Sequence, residues 1–160
     1  MAAADEPGHG PGSEPGREPG QALPSQSTDA TPLTSLYDAI GGEPRVREVL
    51  QSLYDRLFED PMVGFLFAGK DKAHIVAQQL AFTCRFLGGP QVYDGVPLPK
   101  AHANLPLLPG HFDRRHRLLE QVLEAKGVPA EVKRVWLQID SALRPSVLAS
   151  AGEAREKTRK

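Results

Sequence analysis

Tyr93-Asp94-Gly95-Val96-Pro97-Leu98-Pro99-Lys100-Ala101-His102, continued through Ala103 to His111-Phe112, is the stretch around which the chain is organised. Pro97, Pro99, Pro106 and Pro109 each remove a backbone donor, so no long helix is expected here. Leu98, Leu105, Leu107 and Leu108 seek burial, which argues against a plain solvent loop. The expected product is a short, pinned segment carrying one imidazole, His102. Rigid backbone around a single neutral nitrogen is what a buried metal or cofactor ligand requires, because the ring must be aimed and kept deprotonated on the ligating nitrogen. A capping or surface role fits the same spacing, so the residues alone leave both open.

On either side, glycine and proline divide the chain into helical blocks. Downstream, Pro109-Gly110 precedes a helix whose inner face is expected at Phe112, position 115, Leu119 and Leu123, with Val122 at its edge; position 115 is arginine. Gly127-Val128-Pro129 ends it. A last helix begins near Ala130 with Val132, Val135, Trp136, Ile139, Leu143 and Val147 turned inward, and Pro145 is a candidate kink. Upstream, Gly88-Gly89-Pro90 closes a helix over about 71–87 with His74, Ile75, Gln78, Gln79, Phe82 and Phe86 at spacings of three and four. Two glutamines on that face either meet partners or cost about 1–3 kcal/mol each, and a cavity holding a polar ligand would account for them. Val63 to Phe67 reads as an apolar connector behind Asp60-Pro61. Before it, Pro44 opens a helix striped by Val46, Val49, Leu50, Leu53 and Leu57, with Tyr54 beside the stripe and able to aim its hydroxyl inward. Thr34 or Ser35 caps a first short helix through Ile40, ended by Gly41-Gly42.

The first 32 residues are a different zone, in which six prolines and five glycines interleave and large apolar side chains are nearly absent. Five acidic residues against Arg17 give it a charge of −4 and leave +3 on the rest of a chain whose net charge is −1. Such a segment cannot offset its ordering entropy and is expected to be disordered. The charged end, 150–160, is expected to fray, leaving one domain over 33–149. A lone Cys84 fits a reducing, cytoplasmic setting and core filling better than a disulfide. Neither a signal peptide nor a membrane span is expected. Phosphate loop, paired-cysteine zinc site, nucleophile elbow and basic nucleic-acid face are all missing from the pattern, and the five histidines are not spaced as a zinc cluster. Any chemistry must come from something bound. An all-α domain with polar groups facing inward and one placed imidazole suggests haem.

Over about 36–148 the chain resembles the truncated haemoglobins, most closely their first group. The resemblance rests on Leu36-Tyr37-Asp38-Ala39-Ile40-Gly41-Gly42, Leu53-Tyr54 followed by Phe67, Phe86-Leu87-Gly88-Gly89-Pro90 with Tyr93-x-Gly95, His102, His111-Phe112, and Gly127-Val128-Pro129. It implies a truncated two-over-two globin fold around a haem. It makes His102 the iron ligand in place of His111, Tyr54 the distal tyrosine and Phe67 the ring packed on the porphyrin. An ungapped count puts Ile75 at the distal entrance and Gln79 inside, and a count through a histidine puts His74 and Gln78 there. Phe82, Tyr93, Phe112 and Arg115 complete the expected cofactor lining. The implied function is binding of oxygen, nitric oxide or carbon monoxide, including oxygen transport, at an iron left open opposite His102. Tyr54 and a glutamine amide would donate to the negative charge such a ligand acquires. Alternatives are nitric oxide dioxygenase or peroxidase-like chemistry served by an external reductase, and a haem-free interaction module. No nucleic acid or membrane partner is expected.

Arg115 departs from the family, which usually has an apolar or tryptophan side chain there. It is expected either to snorkel outward as its helix rotates or to stand in the distal cavity as an anion-stabilising charge.

Overall fold

The computed structural model describes residues 34–158, with side chains for 34–149 and 151, so the expected tail over 1–32 lies outside the described residues. Within the described residues, six α-helices and one 3-10 turn follow in order: α1 (Leu36–Ile40), α2 (Gly42–Glu59), the 3-10 turn (Gly64–Phe67), α3 (Lys72–Phe86), α4 (Leu98–His102), α5 (Pro109–Ala125) and α6 (Ala130–Thr158). The fold is all-α, with no strand among the described residues. Helix α2 packs on α3 and on α5, α5 on α6, and the short α4 lies on α6. No described helix is long and apolar enough to cross a membrane.

Each boundary has a local cause. Ser35 caps α1 by accepting from the Asp38 amide, and Gly41 ends it in the left-handed conformation, φ +107°. That one residue reverses the chain so sharply that α2 starts at Gly42, two residues ahead of Pro44. A side chain at Gly41 would meet the Arg45 Cγ at 2.9 Å as well as the backbone strain. The α2 stripe Val46, Val49, Leu50, Leu53 and Leu57 is fully buried, and Tyr54 beside it is buried too.

Helix α3 corrects the expectation for its inner face. Its packed side is Val76, Leu80, Thr83 and Cys84, in one core with the α2 stripe, whereas Ile75, Gln79, Phe82 and Phe86 are half-buried and His74 and Gln78 exposed. The helix has two apolar faces, and periodicity cannot distinguish the one that packs from the one that lines a cavity. Leu108 is a second correction. As the N-cap of α5, on extended backbone, it stays 44% exposed, while Leu98, Leu105 and Leu107 are half-buried. On α6, Val132, Trp136 and Val147 are buried and Val135, Ile139 and Leu143 half-buried. The helix passes through Pro145 and continues to Thr158.

Asp60 knots the end of α2 to the 3-10 turn and α5. One carboxylate oxygen accepts from the Met62 and Val63 amides at 2.9 and 3.3 Å, and the other takes two bonds from Arg114 at 3.0 and 2.8 Å. Arg114 and the two amides hold its pKa below the ordinary carboxylate value against the opposing effect of burial. Replacing Asp60 with Ala leaves these amides unpartnered and should cost about 2–3 kcal/mol. Urea unfolding of the two proteins measures this, and a difference under about 0.5 kcal/mol would show the knot to be dispensable.

Candidate haem site

Between α2, α3 and the 3-10 turn on one side of the sequence and α4, α5 and α6 on the other, the chain leaves a cavity of about 600 Å³. All ten side chains expected at the site line it: Tyr54, Phe67, Ile75, Gln78, Gln79, Phe82, Tyr93, His102, Phe112 and Arg115.

His102 ends α4, a single turn pre-set by Pro97 and Pro99. The approach is fixed by Tyr93, whose hydroxyl donates to the Val96 carbonyl at 2.9 Å and whose ring leaves no room for a side chain at Gly95, where a Cβ would lie 2.6 Å from it. The half-buried His102 ring places Nδ1 2.8 Å from the Leu98 carbonyl. A carbonyl only accepts, so Nδ1 carries the proton and Nε2 keeps its lone pair. Burial, and then the Arg115 charge, lower the pKa against the raising effect of the Leu98 bond, so the ring stays neutral. His111 is the reverse case. Its Nδ1 accepts from the Leu108 amide at 3.1 Å, so in the neutral ring Nε2 bears the proton and has no lone pair to offer.

The remaining lining is aromatic and aliphatic with few polar groups. Phe67 stacks on Phe58 at 4.9 Å and meets Tyr54 edge-on at 6.0 Å. Phe82 sits edge-on to both Phe86 and Tyr93. Gln79 donates to the Thr83 hydroxyl at 3.3 Å, whereas the exposed Gln78 pairs with His74 at 3.4 Å. Of the two counts along this helix, Ile75 and Gln79 are the half-buried pair.

Arg115 does not snorkel to water. It lines the cavity, and its Nη1 donates to Asp140 of α6 at 2.5 Å, while the second Asp140 oxygen lies 2.8 Å from His116 Nδ1. The Arg115 charge also acts on Tyr54, opposing the effect of burial on its hydroxyl. The physical reason is the countercharge: Asp140 is only 8% exposed and presents one carboxylate oxygen to the arginine. Burial disfavours the Arg115 charge, but Asp140 and Tyr54 outweigh it and raise its pKa. Burial likewise opposes ionisation of Asp140, and Arg115 with His116 overcomes it, lowering that pKa. Burial raises the Tyr54 pKa, so its hydroxyl keeps its proton. Asp140 and His116 were not among the expected site residues. The signal for Asp140 was present, since it stands four residues after Trp136 and three before Leu143, a charge at an inward position.

A family model described as bacterial-like globin matches residues 35–147. The group 1 truncated hemoglobin GlbN of Nostoc sp. (strain MUN 8820) is 33% identical over 116 residues, covering 72% of this chain and 98% of that protein. The chain belongs to the bacterial-like globins, with the group 1 truncated haemoglobins. Its fold matches the crystal structure of the 2/2 hemoglobin from Synechococcus sp. PCC 7002, which has covalently attached heme, with a TM-score of 0.68 at 26% identity over 72% of this chain and 98% of that one. The Fe(III) form of the truncated hemoglobin from Tetrahymena pyriformis gives a TM-score of 0.66 at 27% identity, over 71% and 97% of the two chains.

Haem is the cofactor expected of this globin, and the residues present fit it. His102 offers one free imidazole lone pair, the lining offers aromatic and aliphatic surface for a porphyrin, and the volume lies inside the ordinary range for cofactor sites. Lys70 and Lys100, exposed yet part of the lining, put two cations where the cavity meets the surface, which suits a cofactor that carries carboxylates.

The Asp140–His116 pair gives a pH signature. The bond to Asp140 is the main cause that raises the His116 pKa above its ordinary 6.5, against burial. The stability from charged His116 is therefore complete below about pH 6.5 and is lost as pH rises through the raised folded value. That of ionised Asp140 is complete above about pH 4 and is lost as pH falls through its lowered folded value. The difference in unfolding free energy between the protein and its His116→Gln variant should be largest near about pH 5–6 and shrink toward about pH 9. Denaturant titrations across that range measure it, and a constant difference would mean His116 acts only as a neutral hydrogen-bonding group.

Proposed function

We propose that this globin binds haem in the cavity through His102 Nε2 and uses the opposite face of the haem to bind oxygen or another diatomic gas. The observation that carries the reading is the neutral His102 ring, pinned through Nδ1 to Leu98 and lining the same cavity as buried Tyr54. Haem supplies an iron that takes a small ligand reversibly at its open position. His102 supports it from one side, with Leu98 fixing the ring's tautomer and tilt. Burial keeps the Tyr54 hydroxyl protonated, so its O–H is available to donate to a ligand. Gln79 adds an amide at the same wall, and Phe67, Phe82 and Phe112 exclude water around it.

Other features of the reading rest on less specific support. A cytoplasmic location fits the single, unpaired and buried Cys84. Redox turnover such as nitric oxide dioxygenation would draw electrons from a separate reductase. A haem-free interaction module is the weaker reading, because a void of this size lined by aromatic rings has no purpose in a chain that binds nothing.

The purified protein reduced under carbon monoxide should show an intense Soret band that His102→Ala abolishes. A colourless protein after haem addition, or full haem uptake by His102→Ala, would overturn the assignment. Replacing Tyr54 with Phe removes one hydrogen bond worth about 1–3 kcal/mol in a dry site and should speed oxygen dissociation by about ten- to a hundredfold. Stopped-flow measurement of that rate checks the role of Tyr54, and an unchanged rate removes it.

A further inference from the structure

Arg115 brings a permanent positive charge into the lining of a cavity that is otherwise mostly apolar, and its influence extends to Tyr54 and to His102. A distal glutamine would offer a neutral donor, but here Gln79 has Thr83 as a partner, and the guanidinium lines the same cavity as the tyrosine. Asp140 holds Arg115 through one oxygen while its other oxygen is shared with His116, so the cation is clamped in place and its countercharge is divided between two partners.

We propose that Arg115 selects the ligand of this site in favour of small monoanions such as azide or nitrite, and that Asp140 sets the strength of that selection by holding and partly cancelling the guanidinium. The inference rests on the haem reading above and adds the ligand class to it. A cation within the cavity attracts an anion by Coulomb's law in a medium that screens far less than water, and it acts little on a neutral gas. Asp140 opposes that attraction because its charge has the opposite sign. Asp140 is a positioning residue, and its removal acts in the opposite direction from the removal of Arg115.

The sign difference makes the test. Azide affinity of the ferric protein and carbon monoxide affinity of the ferrous protein are measured by optical titration for the native chain, Asp140→Asn, and the double variant Arg115→Met with Asp140→Asn. The asparagine amide of the single variant keeps an acceptor for the guanidinium while removing the countercharge, and the double variant avoids leaving a buried carboxylate alone. Azide should bind tightest to Asp140→Asn, less tightly to the native protein and weakest to the double variant, each step about threefold or more. Carbon monoxide affinity should not follow this order, since the fixed charge acts little on a neutral gas. Equal azide affinities, or carbon monoxide shifting in step with azide, would overturn the proposal. If the double variant does not fold, the native protein and Asp140→Asn still decide, since azide binding that is unchanged or weakened by Asp140→Asn is the wrong sign. Failure of the haem reading looks different: the native protein then shows no Soret band before any azide is added.

Discussion

The bond between His102 Nδ1 and the Leu98 carbonyl fixes the tautomer and the orientation of the ring that lines the cavity. Helix α4 has five residues, far too few to hold itself together, so the ring's orientation must come from elsewhere. Pro97 and Pro99 pre-set the backbone, Tyr93 folds over Gly95 to hold the approach, and α4 rests on α6. Within that frame the carbonyl one turn earlier takes one ring nitrogen and so determines the state of the other. The contrast with His111, nine residues on, is instructive: both rings touch the cavity, but the Leu108 amide donates to His111 Nδ1, which leaves the neutral ring's proton on Nε2. A partner's donor or acceptor character separates two residues that composition cannot.

The second constraint is the void. If about 600 Å³ stayed dry and closed, the cost by the usual cavity coefficient would be roughly 14 kcal/mol, as large as the whole stability of an ordinary domain. The chain escapes it by lining the space with groups that need something there, and by giving α3 two working faces. Val76, Leu80 and Thr83 carry the packing that holds the helix, which frees Ile75, Gln79 and Phe82 from any need to be covered by protein. The fold's stability rests on the core that joins α2, α3, α5 and α6, and the cavity is built off its side.

Most of the scaffold was legible in the sequence, because its signals are local. Gly41 in the left-handed conformation, Ser35 as a cap, and the α2 stripe each follow from one or two residues. Family resemblance named ten candidate residues, and these line one cavity from four separate helices and the segments between them. What escaped was whatever depends on distance in space. The exposure of Leu108 comes from its becoming an N-cap, and the two-faced character of α3 comes from where the cavity lies. Asp140 escaped because its meaning lies 25 residues away, at Arg115. Either residue alone reads as an error in a helical stripe. Together they read as a pair.

That pair is hard to explain as stabilisation. Two charges drawn out of water lose several kcal/mol of hydration each, and a pair of apolar residues of similar volume in their place would hold α5 to α6 as well or better. Of their neighbours, His116 offsets part of that cost through its bond to Asp140, whereas Phe112 and Trp136 are apolar. Asp60 and Arg114 offer the comparison within the same molecule, because there the arginine stays 37% exposed and the carboxylate also serves two amides, so the pair does structural work at modest cost. Arg115 and Asp140 make no such backbone contacts in the bonds that define them, and they face the space where a ligand would sit. The cost of their burial is explained by an effect on what enters that space, which is where a fixed charge in a weakly screening interior has its greatest leverage.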